Sequence, residues 1–422
     1  MSGERDNRRE LPAVGARGSG AAAVALLATA LVCGAAAGAV AADTPAPLPS
    51  AGVTAEPAPE LPVMPPLLDL SRTSCTKASS RQVTAMPWAQ LSLELTRAHQ
   101  LTTGAGVRVA VIDTGVENNV SALSGRVTGV GAGATDDCVG HGSFIAGTIA
   151  AEPAAGSAFS GVAPGARILA VRGTDSTGAP DQARVAAGIR SATDAGAKVI
   201  AVSLSFSSAS DALESALDHA ADRDVLVVAA ALPDGLTASA FGGEDPPSTL
   251  EYWPAADPRV LSVVDQDITG ARPSGSLEPA RADLAAPGQG ITGIGPRGKG
   301  NFLANGPSVA AAFVAGAAAL VRSYDPDLSA AEVAARLKAG AYPARVPQLN
   351  PYGALAAVAP SAGPSTRPRV SDAIHLNPVV EDTAPGRRAY TVLGMSAAGA
   401  GVLAAGALLT RRNRRNRAAA QD

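Results

Sequence analysis

The sequence predicts an α/β fold in which a doubly wound, mainly parallel sheet carries helices on both faces. Five short runs rich in valine, isoleucine and leucine have the near-continuous hydrophobicity of strands that are covered on both sides. Helical patterns alternate with these runs, and such alternation is typical of parallel sheets. The predicted strands are residues 107–113, 166–173, 197–204, 224–231 and 259–266.

Three helical patterns accompany these strands. Residues 181–195 and 210–223 each follow a predicted strand, and a long run of small residues at 308–324 comes after the last one. In doubly wound folds the reactive groups lie at the carboxyl ends of the strands. Asp113 ends the first predicted strand and is therefore a candidate for a functional side chain.

The composition limits both the core and the partners. Hydrophobic residues make up 46% of the 422 residues but aromatic residues only 3%, so alanine, valine and leucine must fill the core. The net charge is −3 at pH 7, and the one dense basic run is at the extreme C-terminus. We expect no nucleic-acid partner, because phosphate binding needs a clustered basic surface.

The N-terminus has the order of a secretory signal peptide. Arginines precede an apolar run at residues 21–40, and small residues follow at 40–43. We expect cleavage after Ala42, with an uncleaved membrane anchor as the alternative. The Pro-rich stretch 43–66 that follows is typical of an extended spacer or surface-wrapping segment.

The chain has three cysteines, and export limits how they are used. Cys33 lies in the N-terminal apolar run, which leaves Cys75 and Cys138 to the mature protein. Two cysteines in an exported chain predict one disulfide, with two unrelated buried thiols as the alternative. No C-x-x-C spacing occurs and the acidic pair Asp136-Asp137 is expected in a solvated loop, so we predict neither a metal site nor a cofactor.

The C-terminus contains a second membrane signal. The charge-free run 389–410 is long enough to cross the ~30 Å hydrocarbon core of a bilayer as a helix. The arginine-rich segment 411–417 follows at once, and such clusters stay on the cytoplasmic side. Both ends therefore predict a single-pass cell-membrane protein with an extracytoplasmic body. A buried core helix rich in alanine and glycine is the alternative.

Three residues form a candidate catalytic set. Asp113 stands in VAVIDTGV, His141 in DDCVGHGSFIAGTIA and Ser308 at the helix start in NGPSVAAAFVAGAAALV. Each is weak evidence alone, since most histidines are structural and a serine at a helix start is usually an N-cap. Together they supply a nucleophile, a base that takes its proton and a carboxylate that orients the base. The helix start would also direct the Ser308 N–H at a developing oxyanion.

These motifs resemble the subtilisin family, and within it the mycosins, membrane-anchored subtilases of type VII secretion systems. The general resemblance rests on VAVIDTGV, GHGSFIAGTIA, WPAADPRVLSVVD, LAAPG and the Ser308 helix, and covers residues 87–340. The narrower one rests on residues 87–116, DDCVGHG, the Pro-rich extension and the C-terminal anchor. It implies a subtilisin-like fold and a serine endopeptidase with Asp113, His141 and Ser308 as its triad.

The resemblance also implies a disulfide, a substrate edge and a partner. Cys75 and Cys138 should form a bond that ties the N-terminal extension to the rim of the active site. The family's substrate edge corresponds here to Ser203, Leu204 and Ser205. The expected partners are a protein or peptide substrate and a type VII secretion membrane complex.

Three departures from the family pattern affect residues around the triad: the oxyanion turn, the residue before the nucleophile and the substrate edge. Subtilases carry the oxyanion-binding asparagine in an A-G-N turn. That turn reads AALPDG at residues 230–235 here, which sets Leu232 and Pro233 at the glycine and asparagine positions. Losing that donor typically costs ~10²–10³ in turnover. A nearby asparagine, Asn301 or Asn305, is the alternative donor, and we do not expect it to compensate. Pro307 precedes the nucleophile and lacks an N–H, while Phe206 stands where the substrate edge normally has glycine. These changes predict a slow or narrowly specific protease.

Two other functions compete with this one. The first is a structural subunit of a secretion membrane complex that keeps the subtilase fold but has little or no hydrolytic activity. The three departures around the triad are compatible with this function. A lipase or esterase is disfavoured, because no G-x-S-x-G motif surrounds Ser308. The expected segments are a signal peptide 1–42, a Pro-rich extension 43–84, a peptidase domain 85–358, a Pro-rich linker 359–388, a transmembrane helix 389–410 and a basic cytoplasmic tail 411–422.

Overall fold

A parallel sheet forms the centre of the body, as the sequence predicted. The computed structural model describes residues 60–65, 67, 74–175, 177–241, 247–357, 403 and 405–412. The sheet strands are β1 (Arg108–Asp113), β2 (Val127–Gly129), β3 (Arg167–Arg172), β4 (Val199–Val202), β5 (Leu226–Ala230), β6 (Leu261–Gln266) and β7 (Leu284–Pro287). They lie in the order β2-β3-β1-β4-β5-β6-β7, and every neighbouring pair is parallel.

The sequence located five of these strands and missed the two at the sheet edges. β2 has three residues, none of them fully buried, so it has no continuous apolar run to detect. β7 is four residues long, shorter than most strands that a hydrophobic pattern can identify. An antiparallel hairpin of β8 (Ile291–Ile294) and β9 (Asn301–Ala304) was also missed, because glycine interrupts its first strand.

Helices cover both faces of the sheet. They are α1 (Trp88–Ser92), α2 (Leu95–His99), α3 (His141–Ala150), α4 (Gln182–Asp194), α5 (Asp211–Asp222), α6 (Pro307–Tyr324), α7 (Ala330–Ala339) and α8 (Pro351–Ala356). On β1, Val109 and Val111 belong to the core cluster that contains α3 and α6. Ala110 and Ile112 belong to the cluster that contains α4 and α5, as the alternation of side chains along a strand requires.

Side-chain caps explain where two of the predicted helices begin. The Asp181 carboxylate accepts a hydrogen bond from the Arg184 N–H, and the Ser210 hydroxyl accepts one from the Leu213 N–H. Each cap satisfies an N–H that the first helical turn leaves unpaired. The helices therefore begin one residue after the predicted starts.

Helix α6 runs through the interior. All of its residues from Pro307 to Arg322 are buried, and small side chains let it lie close to its neighbours. A Cβ added at Gly316 would come within 2.6 Å of Val162, so no larger residue fits there. Within the described part of the chain, α6 is the one helix long and apolar enough to cross a membrane, but 89% of it is buried in the body. It is the core helix of this fold.

Of the N-terminal extension, residues 60–65, 67 and 74–84 are described, and part of it pairs with the body. The Met64 N–H donates to the Leu303 carbonyl at 2.7 Å and the Leu303 N–H donates to the Pro62 carbonyl at 2.9 Å, so the extension pairs with β9. A disulfide joins Cys75 to Cys138, the pairing that the resemblance implied. The extension is thereby bonded to the loop that precedes α3.

Several predicted segments lie largely or wholly outside the described residues. The signal peptide 1–42 and the linker 359–388 are wholly outside them. Of the predicted transmembrane helix 389–410, residue 403 and residues 405–410 are described, and they are helical.

Candidate active site

The three candidate catalytic residues come from three elements that meet at the carboxyl edge of the sheet. Asp113 is the last residue of β1, His141 is the first residue of α3, and Ser308 is the second residue of α6. Gly140 precedes α3 with a φ of 97°, a left-handed conformation that favours glycine. The fold thus brings together side chains separated by up to 195 positions in the numbering.

Hydrogen bonds connect the three side chains in series. His141 Nδ1 lies 2.8 Å from Asp113 Oδ2 and 2.9 Å from Oδ1, and His141 Nε2 lies 3.2 Å from Ser308 Oγ. All three residues are buried, with exposed fractions of 0%, 4% and 1% for Asp113, His141 and Ser308. This is the geometry in which a serine can pass its proton to an imidazole oriented by a carboxylate.

The charge on Asp113 governs the protonation of His141. Burial alone would lower the pKa of His141, since it disfavours the imidazolium. The negative charge of Asp113 and its hydrogen bond to Nδ1, with smaller contributions from Asp234, outweigh burial and raise the pKa of His141 to about 10. Burial alone would raise the pKa of Asp113. The charge and hydrogen bond of His141, together with a hydrogen bond from Ser203, outweigh burial and hold the pKa of that carboxyl below its usual value.

A second buried carboxylate shapes the loop in front of His141. Asp137 accepts hydrogen bonds from the Thr114 hydroxyl at 2.8 Å, the Gly140 N–H at 2.7 Å, and both the N–H and the hydroxyl of Ser143 at 2.8 and 2.7 Å. Burial raises the pKa of Asp137 in spite of these bonds. The expectation of a solvated acidic pair was wrong for Asp137, which is 0% exposed.

Sequence reasoning missed Asp234, the closest charged neighbour of Ser308. Its Oδ1 accepts a hydrogen bond from the Ser308 N–H at 3.0 Å, its Oδ2 accepts one from the Ser308 hydroxyl, and the same Oδ2 lies 3.3 Å from His141 Nε2. A Cβ at Gly306 would meet Asp234 Oδ1 at 2.1 Å, so the glycine makes room for the carboxylate. The only sequence signal was its position beside the altered residues of AALPDG.

Neither of the two asparagines considered as replacements contacts the triad. The Asn305 amide oxygen accepts from the Gly290 N–H at 2.6 Å, and the Asn301 amide bonds to Val83 and Gly293. The side chain beside the Ser308 N–H is therefore a carboxylate, where the family pattern has an amide.

The predicted substrate edge is largely buried. Ser203 bonds to Asp113 and Leu204 is 1% exposed, while the half-buried Ser205 hydroxyl donates to the Ala230 carbonyl at 3.4 Å. Phe206 exchanges backbone hydrogen bonds of 2.8 and 2.7 Å with Trp253. Among the residues that the structure describes, no group of three His, Cys, Asp or Glu side chains is arranged to hold a metal ion.

Known proteins are similar to this chain in sequence and in fold. Residues 104–366 match the model of the Subtilase family. Mycosin-4 of Mycobacterium tuberculosis is 34% identical over 389 residues, which cover 80% of this chain and 84% of that protein. The crystal structure of MycP1 from Mycobacterium smegmatis is similar with a TM-score of 0.59 and 26% identity, over 71% of this chain and 94% of that one.

A chain of an intact ESX-5 inner membrane complex is also similar, with a TM-score of 0.59 and 26% identity, over 83% of this chain and 97% of that one. With its parallel sheet and buried core helix, the chain has the fold of a subtilisin-type serine protease. The chain belongs to the subtilase family and, within it, to the mycosins.

Proposed function

We propose that this chain is an extracytoplasmic serine endopeptidase that hydrolyses peptide bonds through an acyl-enzyme on Ser308. The observation that carries the proposal is the hydrogen-bonded series in which His141 Nδ1 lies 2.8 Å from Asp113 Oδ2 and Nε2 lies 3.2 Å from Ser308 Oγ. A serine hydroxyl is a weak nucleophile, and a base within this distance is what activates it.

The proposed reaction follows from the roles of these groups. Ser308 Oγ attacks the carbonyl carbon of the scissile bond while its proton passes to His141 Nε2. The Ser308 N–H stabilises the oxygen that becomes negative, and Asp113 stabilises the imidazolium. His141 then returns the proton to the leaving nitrogen as the C–N bond breaks. A water molecule releases the acyl group by the same steps.

The place of action is part of the proposal. The signal peptide 1–42, the extension 43–84, the peptidase domain 85–358 and the linker 359–388 lead to the transmembrane helix 389–410 and the cytoplasmic tail 411–422. This order supports a single-pass membrane protein whose peptidase domain lies outside the cytoplasm. The similarity to a chain of the ESX-5 inner membrane complex supports association with a type VII secretion membrane complex, with a protein or peptide as substrate.

One observation favours a second function, that of a scaffold with little hydrolysis. The Asp234 carboxylate accepts hydrogen bonds from both the N–H and the hydroxyl of Ser308. A site held in this way has no free oxyanion donor on the nucleophile. A scaffold would need the fold and the disulfide but not an active serine.

A fluorophosphonate probe separates the two functions. We expect the full-length protein in detergent to be labelled on Ser308 and the Ser308→Ala variant to remain unlabelled. Ser323→Ala is the matched control, because Ser323 lies near the opposite end of the same helix and should leave labelling unchanged. Folded native protein that takes up no probe, or equal labelling of Ser308→Ala, would reject the peptidase and favour the scaffold.

A further inference from the structure

The Asp234 carboxylate lies where the reaction would place its oxyanion. Its Oδ1 is 3.0 Å from the Ser308 N–H that should bind the negative oxygen of the tetrahedral intermediate. An ionised carboxylate can only accept hydrogen bonds. As a carboxylate, Asp234 therefore occupies this position and repels the charge that develops there.

The charge on the general base, His141, is also unfavourable for the reaction. His141 must be neutral to take the proton of Ser308, but it lies between the carboxylates of Asp113 and Asp234. Because these neighbours raise the pKa of His141 to about 10, the imidazole is protonated at neutral pH when the site is at rest. In that form it cannot serve as a general base.

A single proton transfer removes both difficulties. His141 Nε2 and Asp234 Oδ2 are 3.3 Å apart, so a proton can pass directly from the imidazolium to the carboxylate. The transfer leaves a neutral imidazole, which can accept the proton of Ser308, and a neutral carboxyl group, which can donate a hydrogen bond. The number of protons on the pair stays the same.

We propose that Asp234 is the oxyanion-hole residue of this peptidase and that hydrolysis runs through the form in which the shared proton lies on its carboxyl group. The inference rests on the proposed function, since it assigns a further catalytic residue to the same reaction. Asp234 touches both the nucleophile and the base, which is what a catalytic role requires. A neutral carboxyl group can donate a hydrogen bond to an oxyanion, as a carboxylate cannot.

Each step of the proposal conserves atoms and charge. The Nε2–H bond of His141 breaks, its electron pair stays on the imidazole, and an O–H bond forms on Asp234 as substrate enters. The substrate carbonyl oxygen takes the place of Asp234 Oδ1 beside the Ser308 N–H. Ser308 Oγ then bonds to the carbonyl carbon, its proton goes to Nε2, and the new oxyanion accepts hydrogen bonds from the Ser308 N–H and the Asp234 O–H.

Titratable groups on three neighbouring elements lie near Asp234. His141 on α3 faces it directly, and Asp113 on β1 lies behind the imidazole. Asp265 on β6 acts as a further negative neighbour: burial raises the pKa of Asp265, the charge of Asp234 adds to that rise, and Arg272 opposes it. Arg272 is paired with Asp265 at 2.6 Å, so its charge is largely neutralised.

The test compares initial fluorophosphonate labelling rates of full-length variants that are shown to be folded by thermal unfolding. We expect Asp234→Asn to be labelled faster than the native protein at pH 7, because an amide donates without a proton transfer. We expect Asp234→Ala to be labelled more slowly than native and ~10²–10³-fold more slowly than Asp234→Asn, because it has no donor. Asp222→Asn, an exposed carboxylate of α5, is the matched control and should match the native rate.

A pH series gives an independent measurement. Labelling of the native protein should fall as the pH rises through about 10, where the pair loses its shared proton, while Asp234→Asn should retain its rate. Faster labelling of Asp234→Ala than of the native protein would show that the carboxylate only obstructs the site. Either that result or equal labelling rates for Asp234→Asn and Asp234→Ala would overturn the catalytic role of Asp234 while leaving the peptidase intact. No labelling of any folded variant at any pH would reject the peptidase, and the inference with it.

Discussion

Removing the Cys75–Cys138 disulfide should lower the stability of the body by an amount set by the loop that it closes. The bonded residues are 63 positions apart. In the chain-entropy model, closing a loop of that length restricts the unfolded chain by about 4 kcal/mol. We therefore expect the double variant Cys75→Ser/Cys138→Ser to lose about 4 kcal/mol of unfolding free energy.

The assay is urea unfolding of the full-length protein in detergent, followed by tryptophan fluorescence, since Trp88 and Trp253 both lie in the folded body. Cys33→Ser is the matched control, because it falls in the expected signal peptide and should change nothing. A loss below about 1 kcal/mol would refute the entropic reasoning. It would indicate that the noncovalent contacts of the extension, such as the Thr76 N–H on the Cys138 carbonyl at 2.9 Å, hold the native state equally well.

The same variant should keep most of its probe labelling. Asp137 holds the loop before His141 through four hydrogen bonds that do not involve the disulfide. We expect the labelling rate to fall less than tenfold. A complete loss of labelling in protein that is still folded would show that the disulfide, and not Asp137, positions His141.

Two further predictions concern packing and pH. A Cβ at Gly147 would lie 2.3 Å from Ile294 Cγ1, so Gly147→Ala should cost about 1–3 kcal/mol in urea unfolding. The same substitution made in an Ile294→Ala background should cost less, and an equal cost in both backgrounds would exclude that contact as the cause. Because the pKa of His141 is raised to about 10, its contribution to stability is complete below about pH 6.5 and is lost as the pH rises through 10. His141→Gln should lack this alkaline loss, and parallel stability curves would contradict the assignment.

The layers of the fold could be predicted because their signals are local. The five strand runs are apolar over their whole length, since both faces of the central strands are covered. The helix starts at Asp181 and Ser210 carry their capping residues in the sequence. The edge strands β2 and β7 escaped prediction because they are short, and sheet pairing rather than local pattern defines them.

By itself, the sequence determined the α/β class and indicated the three candidate catalytic residues and the cysteines Cys75 and Cys138, because these depend on residue type and order. The tertiary structure decided what lies opposite Ser308. Asp234 and Ser308 are 74 positions apart, and the turn sequence AALPDG does not reveal which way its carboxylate points. Only the packing of α6 against the end of β5, with Gly306 leaving space between them, places that carboxylate on the nucleophile.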